Sequence, residues 1–151
     1  MNTDQAACNY ALLRFLPYPE SGEFVNVGVL VNCIQPCLFR FQMKRTISNR
    51  IKALFPEQDA GEYQESMAIF LTELERVKRG IRDPKTCQFA FNELVRPREN
   101  TFRFGEVRTV LTTAPQTFDD ELFRRYVLME PAESSAPTGL TEIAQGIALG
   151  N

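Results

Sequence analysis

The segment from residue 10 to residue 31, YALLRFLPYPESGEFVNVGVLV, constrains the fold more than any other part of the chain. Two apolar runs flank a turn at 17–22 that contains two prolines and a glycine, which are poor strand formers and good loop residues. The pattern predicts two antiparallel strands, Tyr10 to Leu16 and Glu23 to Cys33, joined by this turn.

The second of these strands shows a strict alternation of residue types. The alternation predicts that one face is buried, and this face comprises Val25, Val27, Val29, Val31 and Cys33. Phe24, Leu30 and Asn32 would lie on the opposite face, together with Asn26 and Gly28. A core strand does not call for Asn26 or Gly28, so we treat these two positions as candidates for a function.

The remainder of the chain alternates between strand-like and helix-like periods. A third strand is predicted at Cys37 to Met43, and one or two more at 101–112, broken near Gly105. Helices are predicted at about 46–55, 60–80 and 118–128, and a short helix is favoured over a strand at 86–95. We therefore expect an α+β fold, in which an antiparallel sheet opens with a three-stranded N-terminal meander. The helices at 46–55, 60–80 and 118–128 should cover one face of this sheet.

The length of 151 residues is enough for one ordinary hydrophobic core. We predict a single domain at 1–129 and a mobile tail at 130–151, because the tail is rich in Pro, Ser, Ala and Gly. A short docking helix within the tail would use Leu140, Ile143, Ala144 and Ile147.

The cysteines, at positions 8, 33, 37 and 87, do not form a recognisable framework. There is no signal-peptide pattern and no apolar stretch near the roughly 20 residues of a membrane span, so we expect a cytoplasmic protein without a membrane partner. Cys33 and Cys37 could face each other as a disulfide, but we interpret them as small apolar residues of a reduced protein. A four-cysteine zinc site is disfavoured by the spacing.

Several kinds of catalysis are excluded by what the chain lacks. It contains no histidine, which removes Ser/His/Asp and Cys/His nucleophile schemes, and it has no phosphate-binding glycine loop. The acids at 119–121 are interpreted as partners of a helix dipole rather than as metal ligands. We assign no catalytic residue, no metal and no cofactor, and lean towards a protein that is not an enzyme.

Residues 76–108 form a basic block, with nine Lys or Arg against four Asp or Glu and a net charge of +5. Four arginines interleave with Phe102 and Phe104, a pattern that could hold phosphates and stack bases; they are Arg96, Arg98, Arg103 and Arg108. Ordinary strand alternation, with the Phe side chains inward, explains the same pattern and is favoured.

A second candidate site lies on the first hairpin and comprises Arg14, Glu23, Asn26 and Gly28. If paired residues sum to 40, Arg14 lies opposite Asn26, and Gly28 leaves room for a neighbouring backbone. The alternative is structural: Arg14 pairs with Glu20 or Glu23 to fix the turn, and Gly28 marks a bulge.

The motifs YALLRFLPYP and GEFVNVGVLV, the pair Phe55–Pro56 before a long helix, and FDDELFRRYV near the end resemble one bacterial family. It is the domain-of-unknown-function family numbered three thousand and thirty-seven, and the resemblance covers about Tyr10 to Leu128. The resemblance implies that the gene lies near HipA-like kinase genes. It supplies no catalytic residue, because none is established for the family pattern. We therefore expect a non-enzymatic, regulatory or antitoxin-like partner of such a kinase, with nucleic-acid binding or processing through the basic block as the alternative.

Overall fold

The computed structural model describes residues 5–130 as a five-stranded antiparallel sheet with four α-helices, which confirms the predicted α+β class. The strands are β1 (Ala6–Phe15), β2 (Val25–Cys33), β3 (Leu38–Met43), β4 (Phe102–Phe104) and β5 (Arg108–Thr112). The helices are α1 (Asn49–Leu54), α2 (Ala60–Arg79), α3 (Pro84–Leu94) and α4 (Phe118–Tyr126). The predicted tail lies outside the described residues except for Glu130, and so does its docking helix.

The sheet is built around β1, which pairs with three strands. The strand order is β3-β2-β1-β4, and β5 pairs with the N-terminal half of β1 while β4 pairs with its C-terminal end. The predicted meander of the first three strands is therefore present. β4 and β5 follow one another along a single edge of β1, separated by a break at 105–107.

A bulge in β2 divides the row of alternating residues. Leu13 pairs with Gly28, but Arg14 pairs with Asn26, so Val27 is an extra residue on the β2 side. As a result, Val29 and Val31 belong to one hydrophobic cluster, while Val25 and Val27 belong to another on the opposite face. The prediction that these residues share one buried face is wrong, because it assumed regular pairing along the whole strand. Both faces of β2 are buried.

Three helices lie on one face of the sheet, as expected, but the third of them is α3. The cluster on this face joins Leu13 and Phe15 of β1 to Ile51 of α1 and to four buried residues of α2, Tyr63, Met67, Leu71 and Leu74. α3 adds Cys87 and Phe91, which contact Leu30 and Phe39. The last predicted helix, α4, instead packs on the opposite face, where Phe118 and Leu122 belong to the same cluster as Val29 and Val31.

The acids at the start of α4 have more specific partners than the helix dipole. Asp119 is buried and accepts hydrogen bonds from Arg40 Nε at 2.9 Å and from Gln42 Nε2 at 3.0 Å, so its carboxylate fixes α4 to β3. Asp120 and Glu121 pair with the arginines four residues later, Arg124 and Arg125. Each of the three carboxylates thus has structural partners, and Gln42 Nε2 also lies 3.5 Å from Asp120 Oδ1.

The cysteine prediction requires a correction. Cys8 and Cys33 form a disulfide, and their Cα atoms are 4.6 Å apart, because Cys8 is the direct partner of Cys33 in the β1–β2 register. We missed this pairing because β1 begins at Ala6, whereas the predicted strand began at Tyr10 and left Cys8 outside the sheet. Cys37 is exposed and free, and Cys87 is buried and free.

No helix within residues 5–130 is both long enough and apolar enough to cross a membrane.

Candidate binding surface

A wide depression, which we call the α2–α3 groove, lies between α2, α3 and β4. Its volume is about 600 Å³, within the range that is usual for ligand sites. Its apolar lining is contributed by all three elements and includes Phe70, Val77, Ile81, Phe89, Leu94, Phe102 and Phe104. Phe89 is notable because 66% of its surface is exposed although it is a large aromatic residue.

Local sequence explains why α3 presents Phe89 at this surface. Asp83 and Thr86 form a reciprocal capping box that starts the helix, with Pro84 in its first turn. From this start, helical spacing directs Cys87 and Phe91 into the core and leaves Phe89 on the outer face. The same spacing is readable in the sequence once 86–95 is taken as a helix.

The rim of the groove carries four arginines and two glutamates. Arg76 pairs with Glu73, and this hydrogen bond lowers the pKa of the Glu73 carboxyl; Arg96 pairs with Glu93 at 3.0 Å. The other two arginines donate to backbone carbonyls, Arg98 to Glu93 at 2.8 Å and Arg103 to Asn100 at 2.9 Å. Neither has a carboxylate within ion-pair distance among residues 5–130, so the rim carries unneutralised positive charge.

The predicted nucleic-acid set is only partly brought together. Arg96, Arg98 and Arg103 line the groove, whereas Arg108 lies at a different cavity and pairs with Glu106 at 3.5 Å. The accompanying rings are not free to stack on bases, since Phe102 is buried and Phe104 is half-buried. Both pack against Phe70, with ring centroids 5.7 and 6.1 Å away.

The predicted partner set is also divided. Arg14 lies directly opposite Asn26, as proposed for the hairpin, and both line a cavity of about 140 Å³. Glu23 is exposed in the preceding loop, where its N–H donates to Ser21 Oγ, and no ion pair joins it to Arg14. Gly28 is buried beside β3: a Cβ there would lie 2.0 Å from Met43 Sδ, so close strand approach explains this glycine.

Arg14 itself has no hydrogen-bonding partner among residues 5–130. Its Cζ lies 4.2 Å from the centroid of the Phe24 ring, and its guanidinium also lies against the backbone of Gly105. The Nε atom is buried and has no acceptor within residues 5–130. On the neighbouring strand its direct partner is another cation, Arg103.

A polar network, which sequence reasoning missed, runs from the exposed Thr109 to the buried residues Asn32 and Cys87, on the face of the sheet that carries α3. Thr109 Oγ1 donates to Asn9 Oδ1 at 2.7 Å, Asn9 Nδ2 donates to Asn32 Oδ1 at 3.0 Å, and Asn32 Nδ2 donates to Cys87 Sγ at 3.3 Å. The Cys87 thiol then donates to the carbonyl of Leu38. Burial raises the pKa of the Cys87 thiol, which makes it a structural donor rather than a nucleophile.

Within residues 5–130 there is no group of three or more His, Cys, Asp or Glu side chains placed to hold a metal ion. The concave features instead offer apolar contacts, guanidinium groups and an amide. Fold and surface together define an α+β domain with an arginine-rimmed apolar groove.

Comparison with known families assigns the chain more specifically. Residues 10–127 match the family described as "Protein of unknown function (DUF3037)", and the chain belongs to this family. This confirms the resemblance noted in the sequence. No curated protein and no solved structure matches the chain.

Proposed function

We propose that the protein is a non-enzymatic binding partner of another protein and that the α2–α3 groove is the docking surface. The single observation that carries this proposal is the combination, in one groove, of an exposed aromatic side chain, an apolar floor and two arginines without carboxylate partners. Aromatic residues and arginine are the side chains most often responsible for affinity in protein interfaces.

The charge of the rim indicates the chemistry of the occupant. Arg98 and Arg103 lie on either side of the floor residue Phe102 in sequence, and both line the groove. A segment with an apolar side chain flanked by Asp or Glu would fill the floor and supply the missing carboxylates. Such complementarity favours correct register and fast association.

The resemblance of the sequence supplies a class of partner. The resemblance implies genomic proximity to HipA-like kinase genes, and on that implication we propose a regulatory or antitoxin-like role, in which the domain binds the kinase and alters its activity. The corresponding location would be the cytoplasm. Because disulfides are uncommon in cytosolic proteins, the state of the Cys8–Cys33 pair bears directly on this location.

The proposal is tested by the affinity of the purified protein for the HipA-like kinase encoded in the same genome. We expect Phe89→Asp to weaken binding about 30-fold or more, because loss of a central interface aromatic costs roughly 2 kcal/mol or more. Phe89 is largely exposed, so the fold should tolerate this change.

Ile69→Asp provides the matched control. Ile69 is an apolar residue of α2 that is 68% exposed and does not line the groove, and its replacement should change the affinity less than twofold. Equal effects of the two substitutions would reject the groove as the docking surface. If the unaltered protein does not bind the kinase, the kinase is rejected as the partner.

Nucleic acid is the second candidate, supported by the same arginines. Arg96, Arg98 and Arg103 line one groove, and Phe89 is exposed beside them. A nucleic-acid ligand would bind with strong salt dependence, because phosphate contacts release counterions. The protein partner is favoured because Arg96 is already paired with Glu93, and Glu73 adds a second carboxylate to the rim.

A further inference from the structure

We propose that Arg14 forms an oxyanion-binding site, for a carboxylate or a phosphate group, in the small cavity beside the β2 bulge. The lining of this cavity shares no residue with that of the α2–α3 groove, although Arg14 also borders a neighbouring depression together with Arg98, Arg103 and Phe104. Arg14, Phe24, Asn26 and Arg108 contribute to its lining. The inference does not depend on the protein partner proposed above.

The first observation is that the guanidinium is held in a fixed orientation. The Phe24 ring lies 4.2 Å from Cζ. A Cβ atom at position 105 would lie only 2.8 Å from the same Cζ, so the guanidinium lies directly against the glycine backbone. An arginine fixed in this way loses little further freedom when it forms a two-pronged contact with an oxyanion.

The second observation is that this fixed cation has no partner in the part of the chain that the structure describes. Nε is buried without an acceptor. The cavity does contain one carboxylate, Glu106, but that group pairs with Arg108 at 3.5 Å. A buried donor without an acceptor is unfavourable. Because Nε is itself shielded from solvent, a bound oxyanion would accept hydrogen bonds from the terminal nitrogens of the guanidinium and compensate its charge.

The third observation is the excess of positive charge around Arg14. Arg103 is its direct neighbour on β4, and like charges opposite each other on adjacent strands are destabilising. Arg108 lines the same cavity, and the Asn26 side chain adds an amide donor. An anion at this position would reduce the repulsion and accept hydrogen bonds from both β1 and β2 side chains.

The cavity size limits the ligand to a small group. Its volume of about 140 Å³ corresponds to about five water molecules and lies below the range that is usual for drug-sized ligands. The structure therefore points to one carboxylate or one phosphate group, and not to a whole nucleotide enclosed in the cavity.

The site is tested with small anions by following the Nε–Hε signal of Arg14 in the NMR spectrum of the full chain. Sodium phosphate and sodium acetate are titrated separately at constant ionic strength, with sodium chloride as the reference. We expect a saturable shift of the Arg14 signal with at least one of the two oxyanions, and the anion that binds more tightly identifies the preferred group. The absence of saturation with both, or an equal shift with chloride, would overturn the proposal.

Variants separate binding from packing. In the variants the titration is followed through the side-chain amide signal of Asn26, which lines the same cavity, because Arg14→Lys has no Nε–Hε group. Arg14→Lys keeps the charge but loses the two-pronged contact, and should weaken oxyanion binding about 10-fold, as expected for loss of a charge-assisted hydrogen bond. Arg108 is exposed, so the fold should tolerate Arg108→Gln. This substitution should weaken oxyanion binding a few-fold. Arg82→Lys, at an exposed arginine outside the cavity, should leave the affinity unchanged. Unchanged affinity in both Arg14→Lys and Arg108→Gln would refute the site.

Discussion

Replacement of Gly28 by alanine tests the bulged β2 strand and the assignment of this glycine to packing. In the structure, an added Cβ would lie 2.0 Å from Met43 Sδ and 3.0 Å from the backbone oxygen of Gln42. Non-bonded carbon and heavier atoms normally lie about 3.5–4.0 Å apart. The sulfur would therefore have to move by more than about 1 Å, and the β3 backbone would have to move slightly. Met43 is buried in the cluster with residues of α1 and α2, so moving its sulfur would disturb the packing of this cluster.

We therefore expect Gly28→Ala to lower the free energy of unfolding by about 1–3 kcal/mol, the usual cost of overpacking a core. For a chain of this length the melting temperature should fall by about 3–10 °C. Thermal and urea unfolding followed by circular dichroism would measure both quantities. Affinity for a partner, measured well below the melting temperature, should be unaffected.

Two comparisons make this prediction specific. Gly80→Ala, where the new Cβ would meet only Val77 O at 3.5 Å, should be neutral or slightly stabilising. Met43→Ala combined with Gly28→Ala should cost less than the two single changes added together, because the shortened side chain removes the clash. If Gly28→Ala melts within about 1 °C of the unaltered protein, β3 does not approach β2 as closely as described.

Two further predictions concern titrating and reactive groups. Burial raises the pKa of Tyr63, whose hydroxyl donates to the Lys44 carbonyl; stabilisation by the protonated phenol is thus complete below about pH 10 and is lost at higher pH. The free energy of unfolding should fall above about pH 10, and less steeply in Tyr63→Phe; equal slopes would contradict the burial of this phenol. For the cysteines, a maleimide should label exposed Cys37 in the native protein and buried Cys87 only after unfolding. Cys8 and Cys33 should react only after unfolding and reduction, and labelling of all four without reductant would show that the disulfide is absent.

Periodicity alone predicted most of the elements of the fold. The helix predicted at about 60–80 is present as α2, Ala60–Arg79. The break of the last strands near Gly105 also occurs, at 105–107. These features depend on local spacing, which a single sequence displays directly.

Features that depend on strand register were not predictable in the same way. The assumed sum of 40 holds for Arg14 with Asn26 and for Phe15 with Val25, but the pairs beyond the bulge, such as Cys8 with Cys33, sum to 41. A shift of one residue reverses the faces of a strand. The shift therefore changed the predicted valine face. Together with the predicted start of the first strand at Tyr10 instead of Ala6, it also concealed the disulfide and the pairing of Asn9 with Asn32.

The candidate surfaces were partly visible in the sequence. Arg96, Arg98 and Arg103 were identified from the basic block and do share one groove. The role of Phe89 and the isolation of Arg14 depend on long-range packing, because helix α3 and the β4 edge are brought together only in the folded chain. The surrounding apolar floor comes from three separate elements, none of which indicates a groove by itself.

The most direct measurement of the proposed function is the hydrogen-exchange footprint of the complex with the HipA-like kinase from the same genome. If the α2–α3 groove is the docking surface, binding should slow amide exchange in α3 and β4, at 84–104, and leave α4 on the opposite face unchanged. Protection confined to α4, or no protection anywhere in the domain, would contradict the proposal that this groove binds the kinase.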